Sequence, residues 1–352
     1  MIYYIIFLIS VFLFYHASKN RNVILLLLSI FIPCLLAGLR DVKIGIDVTW
    51  YVTPYFELSE KHSLDYIVRM QDAGTIELGY VAFVWLVTNL FHDIGILLFL
   101  IELIILCPMY IVFYHTGSPR RSSIYLLVYL LIFYNMQLCI IRQFMGISLF
   151  VLALYFYEKK SYALAILLAI IGGLFHNSTW VLSAVSSFFI FLNKEFTNKK
   201  VVTYTFLIFL LIFVMSRTLY ANIDVITGNE KYLDRLNDSL EGADKGGMLT
   251  STFMLLLSTI PLTYFYNRKI VSPVLGLFPL FGAILQLFFT GTYFSRLVPL
   301  FSNFLPLSLF YVKLDKKYIK FFDFSMVIVF TVYWYVSFIL RNSWSTYPYV
   351  FR

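Results

Sequence analysis

The feature that most constrains this chain is the return, from one end to the other, of apolar runs of a single length class. "VILLLLSIFIPCLLAGL" (23–39), "VVTYTFLIFLLIFVM" (201–215) and "FSMVIVFTVYWYVSFIL" (324–340) are three of them. Each is near the ~17 to 25 residues that cross a bilayer as a helix. With no water in hydrocarbon, backbone groups must pair within the chain, so such runs are expected to be helical. Composition closes the alternative of a soluble domain: 61% of residues are hydrophobic and 13% charged, where soluble domains carry roughly a quarter charged. The expected fold is all-α, one polytopic transmembrane domain over residues 1–352.

Breaking the chain at its polar clusters gives spans near 2–17, 23–39, 94–114, 124–141, 144–157, 162–175, 178–192, 201–219, 249–266, 270–289, 297–312 and 322–340, about twelve crossings. Alternate loops then separate by charge. "KNRN" (19–22), "PRR" (119–121), "EKK" (158–160), "NKEFTNKK" (193–200), "NRK" (267–269) and "KLDKKYIK" (313–320) hold 15 of the 27 Lys and Arg, with Glu158, Glu195 and Asp315 as their acids. The positive-inside rule places these loops in the cytoplasm. Both termini and the loops 40–76 and 220–248 then face outward. "ELGYVAFVWLVTNLF" (77–91) is apolar enough to cross, but a crossing there would reverse every later loop. It is therefore expected to enter and leave on the outer side, as a re-entrant or interfacial helix.

The net charge of +8 is spread between helices instead of forming a basic stripe, so it reads as topology and no nucleic-acid partner is expected. The first apolar run has no basic segment before it and no small-x-small site after it, so it reads as a retained span. Cys34, Cys107 and Cys139 lie far apart inside apolar runs and read as packing residues. No Walker loop, Rossmann glycine pattern, zinc spacing or Asp-x-Asp motif appears, so neither a cofactor nor a metal is expected, and a nucleotide-sugar donor is disfavoured.

With topology assigned, the outer face collects an uncommon set of groups. Arg40 ends the second span, Arg142 and Gln143 open a span in "IIRQFMG", His176 and Asn177 occupy the turn "FHNST", Arg296 lies in "TGTYFSRL", and Arg341 ends the last span. An ionisable group near hydrocarbon is costly unless it meets a wet cavity or a partner, although a single arginine at a helix end also snorkels to headgroups. A planar guanidinium grips phosphate oxygens through paired hydrogen bonds and stays charged. A cluster of them at the interface suits a pyrophosphate whose tail remains in lipid. His176 is either a proton acceptor or substrate contact or a neighbour of the helix cap formed by Asn177 or Ser178.

The stretch "GLRDVKIGIDVTWY" (38–51) adds a carboxylate. Gly45 permits a tight turn, and Asp47 is expected to N-cap the helix "VTWYV", with Trp50 and Tyr51 on its face. That arrangement fits a sugar, stacked on aromatic rings and hydrogen-bonded to the acid, or else an interfacial aromatic belt. Glu77 is a second outer carboxylate. The loop 220–248 reads either as a lid over the site or as an ordinary solvated loop.

"GLRDVKIGIDVTWY", "ELGY", "IRQFMGISL", "FHNSTW" and "YPYVF" together resemble the EpsG branch of the Wzy-type polysaccharide polymerases, from residue 38 to the C-terminus. One departure stands out: where that family usually carries a small alanine two places after the Gln of its Arg-Gln pair, this chain has Met145 and then Gly146. The resemblance implies a GT-C-like glycosyltransferase of the bacterial cytoplasmic membrane, with its active site on the outer side. It would join oligosaccharide repeat units carried on undecaprenyl pyrophosphate, acting among membrane lipids beside a chain-length regulator and a flippase.

On this reading Arg142, with Arg40, Arg296 or Arg341, neutralises the departing pyrophosphate. His176 or Asp47 takes the acceptor proton, and Trp50, Tyr51, Glu77, Gln143 and Asn177 contact substrate. Two rivals remain open from sequence. An O-antigen ligase would use the same donor. A flippase or transporter should show pseudo-symmetric halves and mid-membrane charges, whereas the charges here gather on one side.

Overall fold

The computed structural model describes residues 1–70, 76–115, 117–195, 197–204, 207, 246–267, 272–289, 297–342 and 344–352. Helices α1 (Ile2–Asn20) and α2 (Val23–Gly38) form a tight hairpin. Its turn is closed by Arg21 in the left-handed region (φ 54°) and by Asn22, whose side chain accepts the Leu25 N–H at 3.1 Å, an N-cap of the usual kind. A π-helical turn (Val48–Val52) runs into α3 (Thr53–Lys61) and is followed by α4 (Leu64–Met70), α5 (Leu78–Phe91), α6 (Ile94–His115), α7 (Pro119–Gln137), α8 (Ile141–Glu158), α9 (Tyr162–Phe175) and α10 (Ser178–Glu195). After these come α11 (Gly246–Tyr266), α12 (Pro273–Phe289), α13 (Val298–Ser302), α14 (Leu305–Phe310) and α15 (Lys316–Trp334), which continues as a second π-helical turn (Tyr335–Leu340).

Every expected span outside 201–219 coincides with a helix or helix pair, and 201–219 lies almost wholly outside the described residues. Boundaries moved where polar residues extended a helix: α1 continues to Asn20 and α7 begins at Pro119. The span expected at 297–312 is divided at Asn303 and Phe304. Among the described residues three helices, Ile2–Asn20, Ile94–His115 and Lys316–Leu340, are long and apolar enough to cross a membrane, and others such as Val23–Gly38 and Tyr162–Phe175 are apolar but shorter.

The chain divides into two compact units, Met1–Ser183 with Leu314–Arg352, and Ala184–Lys313. In the first, α7 is central: Tyr125 through Asn135 are all buried. Its polar side chains are paired in the interior. Asn135 donates to Thr346 Oγ1 at 2.9 Å and accepts from Trp334 Nε1 at 2.9 Å. Gln137 donates to Glu102 at 2.6 Å while accepting from the Tyr129 hydroxyl at 3.1 Å. Such bonds join helices that have little else to hold them together in lipid. At the basic end of α7, Arg121 meets the buried Asp323 of α15 at 3.3 Å, consistent with both helices starting on the cytoplasmic side. Outward faces carry Ile5, Leu8, Phe12, Leu27, Phe31, Ile166, Ile170, Phe324 and Ile328 exposed, as lipid contact demands. The second unit is built on α11 and α12, with Phe189, Phe278, Phe281, Phe301 and Phe304 packed edge to face or tilted.

Helix α5 has 14 residues, about 21 Å at 1.5 Å per residue, short of the ~30 Å hydrocarbon core. Its contacts explain where it lies. Trp85 and Asn89 donate to the backbone of His62 and Ser59 in and beside α3. Glu77 at its start meets Arg142 at the start of α8, and Asp93 past its end meets Arg352. These contacts tie α5 to α3, to the start of α8 and to the C-terminal strap.

Residues 344–352 fold back over the same end of the first unit. Asp41 N–H donates to Val350 O and Arg352 N–H to Leu39 O, both at 2.9 Å, placing Phe351 antiparallel to Arg40. The Tyr3 hydroxyl donates to Thr346 O at 2.8 Å and the Tyr349 hydroxyl to Leu36 O at 2.6 Å. This strap ties the beginning of the chain to its end.

Candidate active site

The site is organised by a break. Residues 138–140 turn between α7 and α8, and the 41–47 stretch is fastened to that turn: the Asp47 N–H donates to Cys139 O at 3.1 Å. Gly45, at φ 100°, presses against the Leu138 carbonyl, where a Cβ would collide. Only glycine combines that conformation with that approach. The break starts α8 at Ile141, so Arg142 falls in its first turn and Gln143 is buried beside it.

Arg142 Nη1 donates to Glu77 Oε2 at 2.8 Å, while Glu77 Oε1 accepts the Asn177 N–H at 3.0 Å. The carboxylate thus satisfies an otherwise orphaned amide at the start of α10 and places negative charge where the helix dipole favours it. The Tyr51 ring lies against the guanidinium, 4.0 Å from Cζ to ring centroid, and the Tyr80 ring is 5.9 Å away. Side-chain exposure is 12% for Arg142 and 9% for Glu77, so the pair is largely withdrawn from water and its field is little screened. Two polar atoms here are buried without a partner, Arg142 Nε and the Tyr80 hydroxyl. Burial lifts the Tyr80 phenol well above its ordinary range; the Asp47 charge adds to this and Arg142 opposes it.

His176 ends α9. Its Nδ1 accepts the Ser178 N–H at 3.1 Å and pairs with Ser178 Oγ at 2.6 Å. A backbone N–H can only donate, so in the neutral ring the proton sits on Nε2. In this orientation the imidazole offers a donor rather than a base. The Asn177 side chain is exposed beside it. The turn is held close to α8 because Gly146 and Gly172 face each other: a Cβ on either would lie 3.0 Å from the other's carbonyl oxygen, and one on Gly146 would also strike Thr179 Oγ1. Gly146 is thus the small residue the crossing requires, one place after the position where the resemblance suggested it.

Several expected residues are placed otherwise. Asp47 does not cap the following helix: its backbone is already helical (φ −63°, ψ −27°) and its side chain makes no capping bond, because helix begins at Ile46 and a cap requires non-helical geometry. Asp47 stays half-buried near Tyr80. Trp50 is 70% exposed, turned away while its neighbour Tyr51 stacks on Arg142. Arg40 is 1% exposed, with Nη2 3.5 Å from Leu138 O and Nε and Nη1 buried without partners; it lies behind the 138–140 break and under the strap. Arg341 is exposed where the last helix ends. Arg296 and nearly all of the loop 220–248 lie outside the described residues. The expected convergence of guanidinium groups is therefore replaced, among the described residues, by one arginine held by a carboxylate and an aromatic ring. Tyr80 is the residue sequence reasoning passed over, although its spacing three after Glu77 put it on the same helix face.

A model of the EpsG family matches residues 23–351. The chain belongs to the EpsG family. The match spans every element of this cluster, from the 38–51 stretch to the C-terminal strap, and membership points to a polysaccharide-polymerase type of function in a membrane protein. No curated protein and no solved structure matches this EpsG-family chain.

Proposed function

We propose that this EpsG-family protein is a GT-C-like glycosyltransferase of the bacterial cytoplasmic membrane. It would polymerise oligosaccharide repeat units carried on undecaprenyl pyrophosphate, at the outer face. The observation that carries this is the Arg142 guanidinium, fixed by Glu77 and Tyr51 beside the His176–Asn177 turn, at the end of the bundle the charge pattern sends outward. A fixed cation at the lipid–water boundary suits a leaving group that is both anionic and lipid-linked.

In the proposed reaction a hydroxyl oxygen of the acceptor unit bonds to the donor's anomeric carbon. The bond from that carbon to the pyrophosphate oxygen breaks, and undecaprenyl pyrophosphate departs with the electron pair. Arg142 stabilises the charge developing there. Both Glu77 oxygens are already engaged, so Glu77 acts by positioning Arg142. Asp47, the half-buried carboxylate near Tyr80, takes the acceptor proton, and His176 donates through Nε2 to a sugar oxygen.

Reconstitution with a synthetic lipid-linked repeat unit tests this reading. The expected result is a ladder of products with release of lipid pyrophosphate, abolished in Arg142→Ala. Transfer of single units only, or a full ladder from Arg142→Ala, would overturn it.

A further inference from the structure

The mechanism above uses one edge of the Arg142 guanidinium and leaves another polar group unused. Nη1 is spent on Glu77, but Nε and the Tyr80 hydroxyl are buried with no hydrogen-bond partner among the described residues. Tyr80 is fully buried, 0% exposed, with its ring 5.9 Å from the guanidinium carbon. Its hydroxyl is within electrostatic reach of Asp47, Arg142, Tyr55 and Glu77. A buried tyrosine normally finds a partner for its O–H. Two donors without partners among the described residues, one of them on the cation itself, are groups that an anionic oxygen would satisfy.

We infer that the Tyr80 hydroxyl and Arg142 Nε are two donors for one phosphate oxygen of the lipid-linked substrate, with the Tyr51 ring holding the guanidinium in place. This rests on the function proposed above and deepens it. Tyr51 is suited to that task because its ring lies over the guanidinium carbon at 4.0 Å and belongs to the π-helical turn Val48–Val52, a geometry found often at functional sites. A ring over the guanidinium face blocks neither the in-plane Nε–H nor the Glu77 contact on Nη1. The substrate's phosphate oxygen then receives a charged and a neutral donor, and a lipid alcohol receives neither.

Tyr80→Phe separates this role from a structural one. Removing an unpartnered buried hydroxyl takes nothing from the folded state, so thermal stability in detergent should be unchanged or higher. The rate of polymer formation should fall roughly tenfold or more, the effect of losing a hydrogen bond to a charged group. The thermal shift given to the wild-type protein by a short-chain prenyl pyrophosphate should shrink in Tyr80→Phe, with the matching prenyl alcohol inactive against both. Equal rates and equal shifts in the two proteins would overturn the inference. So would loss of fold in Tyr80→Phe, which would show the hydroxyl to be structurally engaged, and so would an equal response to phosphatidylglycerol, which would assign the donors to headgroups. If no ladder forms with wild type but the Tyr80-dependent pyrophosphate shift is present, the polymerase reading fails and this site stands. If the ladder forms equally in both, this site alone fails.

Discussion

Glu77 holds Arg142 at 2.8 Å across 65 residues of sequence. The bond joins the start of α5 to the start of α8, and the second carboxylate oxygen reaches a third helix through the Asn177 amide. One carboxylate therefore sets the geometry of the cluster. Glu77→Gln keeps an oxygen for Asn177 but removes the charge, and polymer formation should fall by roughly 10- to 100-fold, the scale of a charged hydrogen bond. Glu77→Ala should in addition lower stability by about 3 kcal/mol by stranding a mostly buried guanidinium. Exchanging the two, Glu77→Arg with Arg142→Glu, should not rescue, since the Asn177 N–H would then face a cation. A product ladder on gels and thermal unfolding in detergent read both effects.

Arg142→Lys keeps the positive charge but loses the planar stack on Tyr51 and the Nε donor. Lysine is no substitute at a stacked, oriented site, so the variant should fall within about tenfold of Arg142→Ala, itself down by ~100-fold or more. Initial rates on the synthetic lipid-linked substrate would show a nearly active lysine variant if charge alone sufficed.

Gly146→Ala should force α8 away from α9, because the added methyl meets Thr179 Oγ1 and the Gly172 carbonyl. Overpacking of this kind costs about 1–3 kcal/mol. Adding Thr179→Ala should restore part of the loss, since one of the two obstacles is then gone while the carbonyl contact at 3.0 Å remains. Melting temperatures of the single and double variants give the comparison.

Asp93 anchors the strap through Arg352 at 2.9 Å and accepts the N–H groups of Gly95 and Ile96 at the start of α6. The hydrogen bond from Arg352, helped by those two backbone amides, holds the carboxyl below its ordinary range. A depressed pKa stabilises the folded protein above the ordinary carboxylate value, and that contribution is lost as pH falls through the lowered one. Protease cleavage near residues 344–352 should therefore rise on acidification below the usual carboxylate range. Asp93→Asn should show the higher cleavage already at neutral pH, with a flatter pH profile.

Much of the helical layout could be read from the sequence because the apolar runs and the loop charges are local signals. That 77–91 would be helical was legible in the same way, whereas its side of the membrane was an inference from charge parity alone. The cluster was legible in its members and not in its wiring. Arg142, His176, Asn177, Glu77 and Tyr51 were all named from their outward position, but nothing local says that Glu77 would be the hub, since its partners lie 65 and 100 residues away. Arg40 misled for the opposite reason. A guanidinium at a helix end looks wet from sequence, and only the strap, arriving from residues 344–352, shows it to be sealed. Asp47 stands two positions past the cap, because helix already begins at Ile46, a boundary error that composition cannot correct.

The strap also imposes an order of events during biosynthesis. Leu39, Arg40 and Asp41 leave the ribosome early, yet the backbone partners that cover them are supplied by residues emerging after the last helix. Until the strap arrives, residues 39–41 lack the backbone bonds to Val350 and Arg352, and the 41–47 stretch lacks one of its two fastenings. The end of the first unit that carries the Arg142–Glu77 pair is thus completed only when residues at both ends of the sequence have met.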